Sequence, residues 1–505
     1  MLRSVITWEL IRRHGCGAMT DKIKPVHIAN GLFRETLGAV AKTRDLREVL
    51  IYTAAQSTED MRDQAMSKLL ERSKDRWGRL AEDALSKEGA LGKQVLPMLR
   101  TLLGTDGAVF GKSIDQSSLT SPTGSLVTSD PSDEHAGALI KNLWSLSNSS
   151  GNDGESPLLS LLREKIDPER DLSLADDLTV LFAPLNEGMR ERKANETVSQ
   201  CEDFQKFQQR GNDYDPVVNQ LRQAADLLYI YEKEVRPNPI ATLERIVCLG
   251  SLSVFFYLST RGQIWANLPK RPLLIQVSGN AISPIARASE ESVQQLTVRD
   301  VKRYIVSLLE SLLKEISPDS DEWLELWTTG EIWDKLTELT GVERKPKDEP
   351  EIKELTRIVV QRDPEIEIDD ILAEVVDKLN EKASLVDYLR LLGLRSGLLY
   401  PQQKNPKKRV CPEDRVIEVL VAGTINVVNE VVEYQEFLER LWERFRIVTG
   451  GHPEDEFLLT QAGIPRVSSK HLRQNSEAFL KRLEEQGLAK RMADSKALVG
   501  LVEAY

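Results

Sequence analysis

Between Ile246 and Leu258 the chain runs IVCLGSLSVFFYL, thirteen residues without a charge. Set within a helical pattern from Leu243 to Ser259, this run is apolar on every side, so other elements have to enclose it. A bilayer span takes about twenty residues, which leaves the centre of a core as its expected place. The chain has the material to build that core. Its 505 residues are 41% apolar and 29% charged, enough for roughly three domains. This composition excludes a disordered polymer, a collagen and a disulfide miniprotein.

Helical periodicity predicts most of the enclosing elements. Residues 28 to 103 read as helices, with Met61, Ala65, Leu69, Leu70, Trp77 and Leu80 at three- and four-residue spacing. The stretch 104–157 is rich in Ser, Gly, Asp, Thr and Pro and reads as a flexible linker, with one apolar helix candidate at Ala136 to Leu146. A central helical core follows over 158–316. It holds helices at Leu158 to Lys165, Leu172 to Phe182, Pro216 to Val235 and Val298 to Ile316, and a short buried strand at Arg271 to Gly279. An acidic helical segment spans 317–409. Its Trp323, Trp327 and Trp333 suit a helical core better than a base-stacking platform, because the surrounding carboxylates repel phosphate. Lys345 to Glu351 reads as a linker.

The segment 410–505 predicts helix, short strand, helix, helix and hairpin, the order of a winged helix. The helices are Arg415 to Ile425, Tyr434 to Ile447 and Lys470 to Gln486, the last stopped at Gly487. A strand fits VVNEVVEY, and the hairpin turns at Ala493-Asp494-Ser495. The expected fold class is therefore mainly α, multidomain, with a C-terminal winged-helix-like module and few short strands. In such a module the third helix can enter a major groove while the hairpin meets phosphates. Lys470, Arg473, Lys481 and Arg482 on the helix and Lys490 and Arg491 on the hairpin are the candidate DNA contacts. Winged helices also serve as protein-binding modules, and Glu477, Glu484 and Glu485 share this helix. Lys404, Lys407, Lys408 and Arg409 form a cationic stretch just upstream, read as a charged surface loop.

Charge is segregated along the chain. The net charge of −12 argues against a protein coated in nucleic acid. From Glu315 to Lys382 there are 21 acidic and 9 basic residues, and from Arg466 to Lys496 there are 8 basic and 4 acidic. Opposite ends of this kind suit different partners. Cysteines at 16, 201, 248 and 411 are too scattered for a disulfide framework or a zinc site, and a reducing cytoplasm is the expected location. The opening MLRSVITWELIRRHGCGAM lacks the Ser-rich length of a transit peptide. The simpler expectation is that translation starts at Met19.

Familiar catalytic signatures do not assemble. Gly111-Lys112-Ser113 would end a phosphate loop, but Asp106 stands where its first glycine belongs. No GxSxG or HExxH occurs, and the five histidines lie at least 13 residues apart. Arg466 and His471 match the R-x4-6-H spacing of helical ribonucleases, a match expected about once by chance in a chain of this make-up. Glu351-Ile352-Lys353 could join a distant Asp in a nuclease site, a pattern nearly free in a chain with 79 carboxylates. No metal, cofactor or catalytic residue is assigned.

The runs NSEAFLKRLEEQGLAKRMADSKALV, FLERLWERFRIVTGG and LERIVCLGSLSVFFYL…RPLLIQVSG resemble the large helical accessory proteins of bacterial anti-phage loci. Those proteins are encoded beside HerA/FtsK-like ATPases, as in phosphorothioation-dependent restriction. The resemblance implies a subunit role, recruiting or positioning an ATPase, a nuclease or DNA. Together with the cysteine usage and the missing motifs, the expected function is a cytoplasmic, non-enzymatic subunit that binds double-stranded DNA, a protein partner such as the ATPase, or both. A nuclease with dispersed carboxylates and a scaffold without nucleic-acid contact are the alternatives.

Overall fold

The computed structural model describes residues 1–20, 23, 25–37, 133–145, 156–166, 216–235, 239–277, 281–361, 367–381, 384–401, 407–426, 430–492 and 496–500. Of these, 70% are helical, so the protein is mainly α. Helix α1 (Leu2–His14) buries Leu2, Val5, Ile6 and Leu10 along one stripe and ends at Gly15, whose φ of 71° suits a residue without a Cβ. These four side chains are fully buried and belong to the main apolar cluster.

Helices α2 (Pro25–Leu37) and α3 (Ala136–Ser145) cross with their backbones in contact. A Cβ on Gly137 would come within 2.1 Å of the Gly31 carbonyl carbon. Helix α3 realises the apolar helix candidate expected at Ala136 to Leu146 within the Ser-, Gly- and Asp-rich stretch. Ala136, Leu139, Ile140, Leu143 and Trp144 are buried, and Trp144 Nε1 donates to Ser253 Oγ at 3.2 Å. A local apolar face outweighs the polar composition around it. Residues 104–132 and 146–155 of that stretch, and the helices expected over 38–103 and 172–182, lie outside the described residues.

Helices α4 (Pro157–Ile166) and α5 (Pro216–Val235) join α2 and α3 around α6 (Pro239–Ser259), which carries the uncharged run. By length and composition Ala241–Trp265 could cross a membrane, yet 89% of its apolar window is buried inside the protein. After α7 (Arg261–Trp265), the expected strand is realised as β1 (Leu273–Leu274) and a bridge at Ile275. Helix α8 (Pro284–Gln294), capped by Ser283, passes through a π-helical turn at Gln295–Asp300 into α9 (Val301–Ile316).

Helices α10 (Ser320–Thr329) and α11 (Ile332–Thr340) bury all three tryptophans of the acidic segment. Trp327 and Trp333 meet edge to face with centroids 5.7 Å apart. They are core, as the helical spacing predicts. The expected linker at Lys345 is a 3-10 turn leading into α12 (Glu349–Val360), whose first turn carries Glu349 and Glu351 at the positive end of the helix dipole. Helices α13 (Ile368–Leu379) and α14 (Leu385–Arg395) lead to the hairpin β2 (Leu399–Tyr400) and β3 (Arg409–Val410). Here the cationic loop expectation is corrected. Lys408 is buried with Nζ donating to Pro401 O at 2.7 Å, and Arg409 is buried with its guanidinium 5.6 Å from the Tyr400 ring centroid. Lys407 is exposed, and Lys404 lies outside the described residues.

The C-terminal module contains α15 (Asp414–Ala422), β4 (Val432–Glu433), α16 (Tyr434–Phe445), β5 (Ile447–Val448), α17 (Asp455–Gln461), α18 (Ser469–Glu485), β6 (Ala489–Arg491) and β7 (Ala497–Val499). Strand β7 lies between β4 and β6, antiparallel to both. The expected helices, short strand and hairpin strands occur in order, with β5 and α17 added where a helix end and a polar loop were expected. Strand β5 lies outside the three-stranded sheet and pairs in parallel with β1 of the central region. One apolar cluster runs from Leu2 in α1 to Val499 in β7. A smaller one joins Leu274, Ile285 and Ala288 to Val448, Leu459, Ile464, Val467 and Leu472.

Candidate functional site

Helix α18 starts at Ser468, whose Oγ accepts from the His471 N–H. Its inner face is Leu472, Asn475, Ser476, Phe479, Leu480 and Leu483. At about 100° per residue, Lys470, Arg473, Gln474, Glu477 and Lys481 fall within an outward arc of roughly 100°. All five are exposed. Arg482 lies about 120° round the helix from Lys470 and points elsewhere. Its guanidinium donates to Asp414 on α15 at 2.9 Å from Nε, and Gln486 Nε2 donates to the same carboxylate oxygen at 2.9 Å. Arg482 therefore ties α18 to α15, and it leaves the candidate surface.

The other candidates divide by what they touch. Lys470 and Arg473 on α18 and Lys490 on β6 are exposed and make no ion pair among the described residues. Lys481 is 3.5 Å from Glu485 one turn on, a pair both of whose side chains are largely in solvent. Such pairs contribute about 0–1 kcal/mol and leave the ammonium available. Arg491 is held more firmly, pairing with Glu477 and donating to Glu484 at 2.9 Å. These two carboxylates push its guanidinium pKa up.

Carboxylates from outside the stretch further dilute the cationic field. Asp414 meets Arg482, Glu433 meets Lys496, and Glu456 lies 3.5 Å from Arg466. The excess of four positive charges from Arg466 to Lys496 thereby falls to one. The surface is a set of discrete cations, not a broad basic patch.

The module is welded to the central region by side chains that the sequence did not single out. Asn475 Nδ2 donates to Ile275 O at 2.7 Å and Thr449 O at 2.8 Å, while its Oδ1 accepts from Val277 N–H at 3.0 Å. One buried amide thus closes backbone groups of both regions. Asp300, fully buried at the end of the π-helical turn, accepts from Gln263 Nε2 at 2.8 Å and Arg271 Nε at 2.7 Å. Gln263 Oε1 accepts from Arg446 at 2.6 Å, and Arg271 reaches Ala462 O at 3.3 Å. The one available signal was polar residues on otherwise apolar stripes.

Asp455 fixes the loop before α17 by accepting from Gly450 N–H at 2.8 Å and His452 N–H at 3.2 Å. Burial pushes its carboxyl pKa up, against the pull of those two donors.

The two residues of the ribonuclease-like spacing have different partners. Arg466 turns to Glu456, and His471 Nδ1 lies 2.8 Å from Ser468 Oγ at the helix cap. Glu351, from the nuclease-like triplet, lies 3.4 Å from the amino group of Met1. Among the described residues no group of three or more His, Cys, Asp or Glu is placed to hold a metal ion. What the module offers chemically is hydrogen-bond donors and positive charge on an outward face. No protein-family model, curated protein or solved structure matches the chain.

Proposed function

We propose that the chain is a binding subunit of a bacterial DNA-directed defence complex, and that its C-terminal module is the end that engages double-stranded DNA. The observation that carries this reading is the exposed set Lys470, Arg473 and Lys481 on α18 with Lys490 on the neighbouring hairpin. In this reading the hairpin is the wing of a winged helix, α18 faces the groove, and the cations meet phosphates. The resemblance of the helical runs to accessory proteins of anti-phage loci supports the setting.

The test is fluorescence anisotropy with a DNA duplex over a salt series. Each phosphate neutralised adds about −0.9 to the slope of log K against log salt. Lys470→Ala combined with Arg473→Ala is expected to make that slope shallower by about 2. Salt-independent binding, or no binding at low salt, counts against the reading.

A protein partner is the second reading, and two observations favour it. The local charge balance is close to neutral, and Phe457 and Met492 are 65% and 44% exposed in the same module. Large apolar groups among mixed charges suit a protein contact. Co-purification with a HerA/FtsK-like ATPase that survives nuclease treatment and is lost in Phe457→Ala supports this alternative.

A further inference from the structure

Arg491 is one of the candidate DNA contacts, but its surroundings differ from those of the other cations. It projects from β6, and its guanidinium bridges Glu477 and Glu484, which lie seven residues apart on α18. Seven residues are two helical turns, roughly 10 Å along the axis. A single planar fork on the hairpin is therefore fixed at two levels of the helix. The geometry suits arginine, whose guanidinium has five donors in a rigid plane, and a lysine ammonium cannot reproduce it. Lys490, next in the strand, projects from the opposite side of β6 by strand alternation and meets no carboxylate among the described residues. Backbone pairing of β6 with β7 then carries the restraint across the hairpin, through Lys490 opposite Leu498 and Arg491 opposite Ala497.

We infer that Arg491 is a positioning residue: with Glu477 and Glu484 it pins the hairpin to α18, and the contact surface consists of Lys470, Arg473, Lys481 and Lys490. The inference rests on the binding role proposed above only in its account of which cations meet the ligand. The pin itself is a property of the free protein. A phosphate approaching Arg491 would have to displace two carboxylates already in place, whereas Lys490 has none to displace.

Two measurements on the full chain test this. The first is amide hydrogen exchange across 489–491 and 497–499 without DNA. Arg491→Ala, and separately Glu477→Gln with Glu484→Gln, are each expected to speed exchange by about fivefold. Arg491→Lys is expected not to restore the wild-type rate. The second is the salt dependence of binding to a DNA duplex. Lys490→Ala is expected to lower the slope by about 1, while Arg491→Ala weakens binding with the slope unchanged. Unchanged exchange in both variants overturns the pin, as does a slope lowered by about 1 in Arg491→Ala. If the wild-type chain binds no DNA, the proposed function fails, and hydrogen exchange alone decides the role of Arg491.

Discussion

His14 is a polar residue at the end of α1, enclosed by apolar helices. Its Nδ1 lies 2.9 Å from Tyr257 Oη, and its Nε2 meets the Tyr304 hydroxyl. Burial pushes its pKa well below the ordinary value of 6.5, and the nearby positive charges of Arg261 and Arg13 push it further down. The unfolded chain then takes up the proton before the folded one does. This contribution to stability is complete above about pH 6.5 and is lost as pH falls below it. Chemical denaturation at pH 7.5 and pH 5 should show lower stability at the acid end. His14→Gln should weaken that pH dependence, and an equally steep dependence in the variant would remove His14 as its source. Asn475 is a second buried polar side chain with no apolar substitute. Asn475→Ala would leave Ile275 O, Thr449 O and Val277 N–H without their partner, at a cost of about 3 kcal/mol, measurable by urea titration. Neither role was legible in the sequence, because a lone His or Asn on an apolar stripe does not reveal what lies opposite.

The elements were legible wherever one helix's own periodicity settled the matter. Pro216–Val235 and the boundaries of α18 agree with the apolar spacing to within a residue, and the tryptophans of α10 and α11 are buried as their spacing requires. Local pattern outweighs average composition: α3 sits among Ser, Gly and Asp, yet its ten residues bury the apolar face that their spacing predicts. Charge in a short cationic stretch is a poorer guide. The cations Lys408 and Arg409 looked solvated but fold inward on the β2–β3 hairpin. The contact between α2 and α3 offers a test at this scale. The position of Gly137 against the Gly31 backbone leaves no room for a methyl group. Gly137→Ala should force the two helices apart and destabilise the protein by about 2 kcal/mol or more. A thermal midpoint within a degree of wild type would contradict the packing.

Across the whole molecule, one apolar cluster joins α1, the central helices, the acidic helices and the C-terminal module. Strand β5 pairs with β1, and Asn475 and the Gln263–Asp300–Arg446 network close the same seam with hydrogen bonds. A seam with both apolar and polar closure couples the parts it joins, so calorimetry should record a single cooperative transition. A separate melt of the C-terminal module would show that the seam is weak. The sequence by itself determined the mainly helical class, the central burial of Ile246–Leu258 and the helices α15, α16 and α18, because periodicity and chain-breaking residues act within a few positions of one another. Only the tertiary structure decided which cations face outward. Whether Lys490 is open and Arg491 is held by Glu477 and Glu484 depends on the hairpin lying across α18. Charges adjacent in sequence acquire different surroundings once distant segments are brought within hydrogen-bond range.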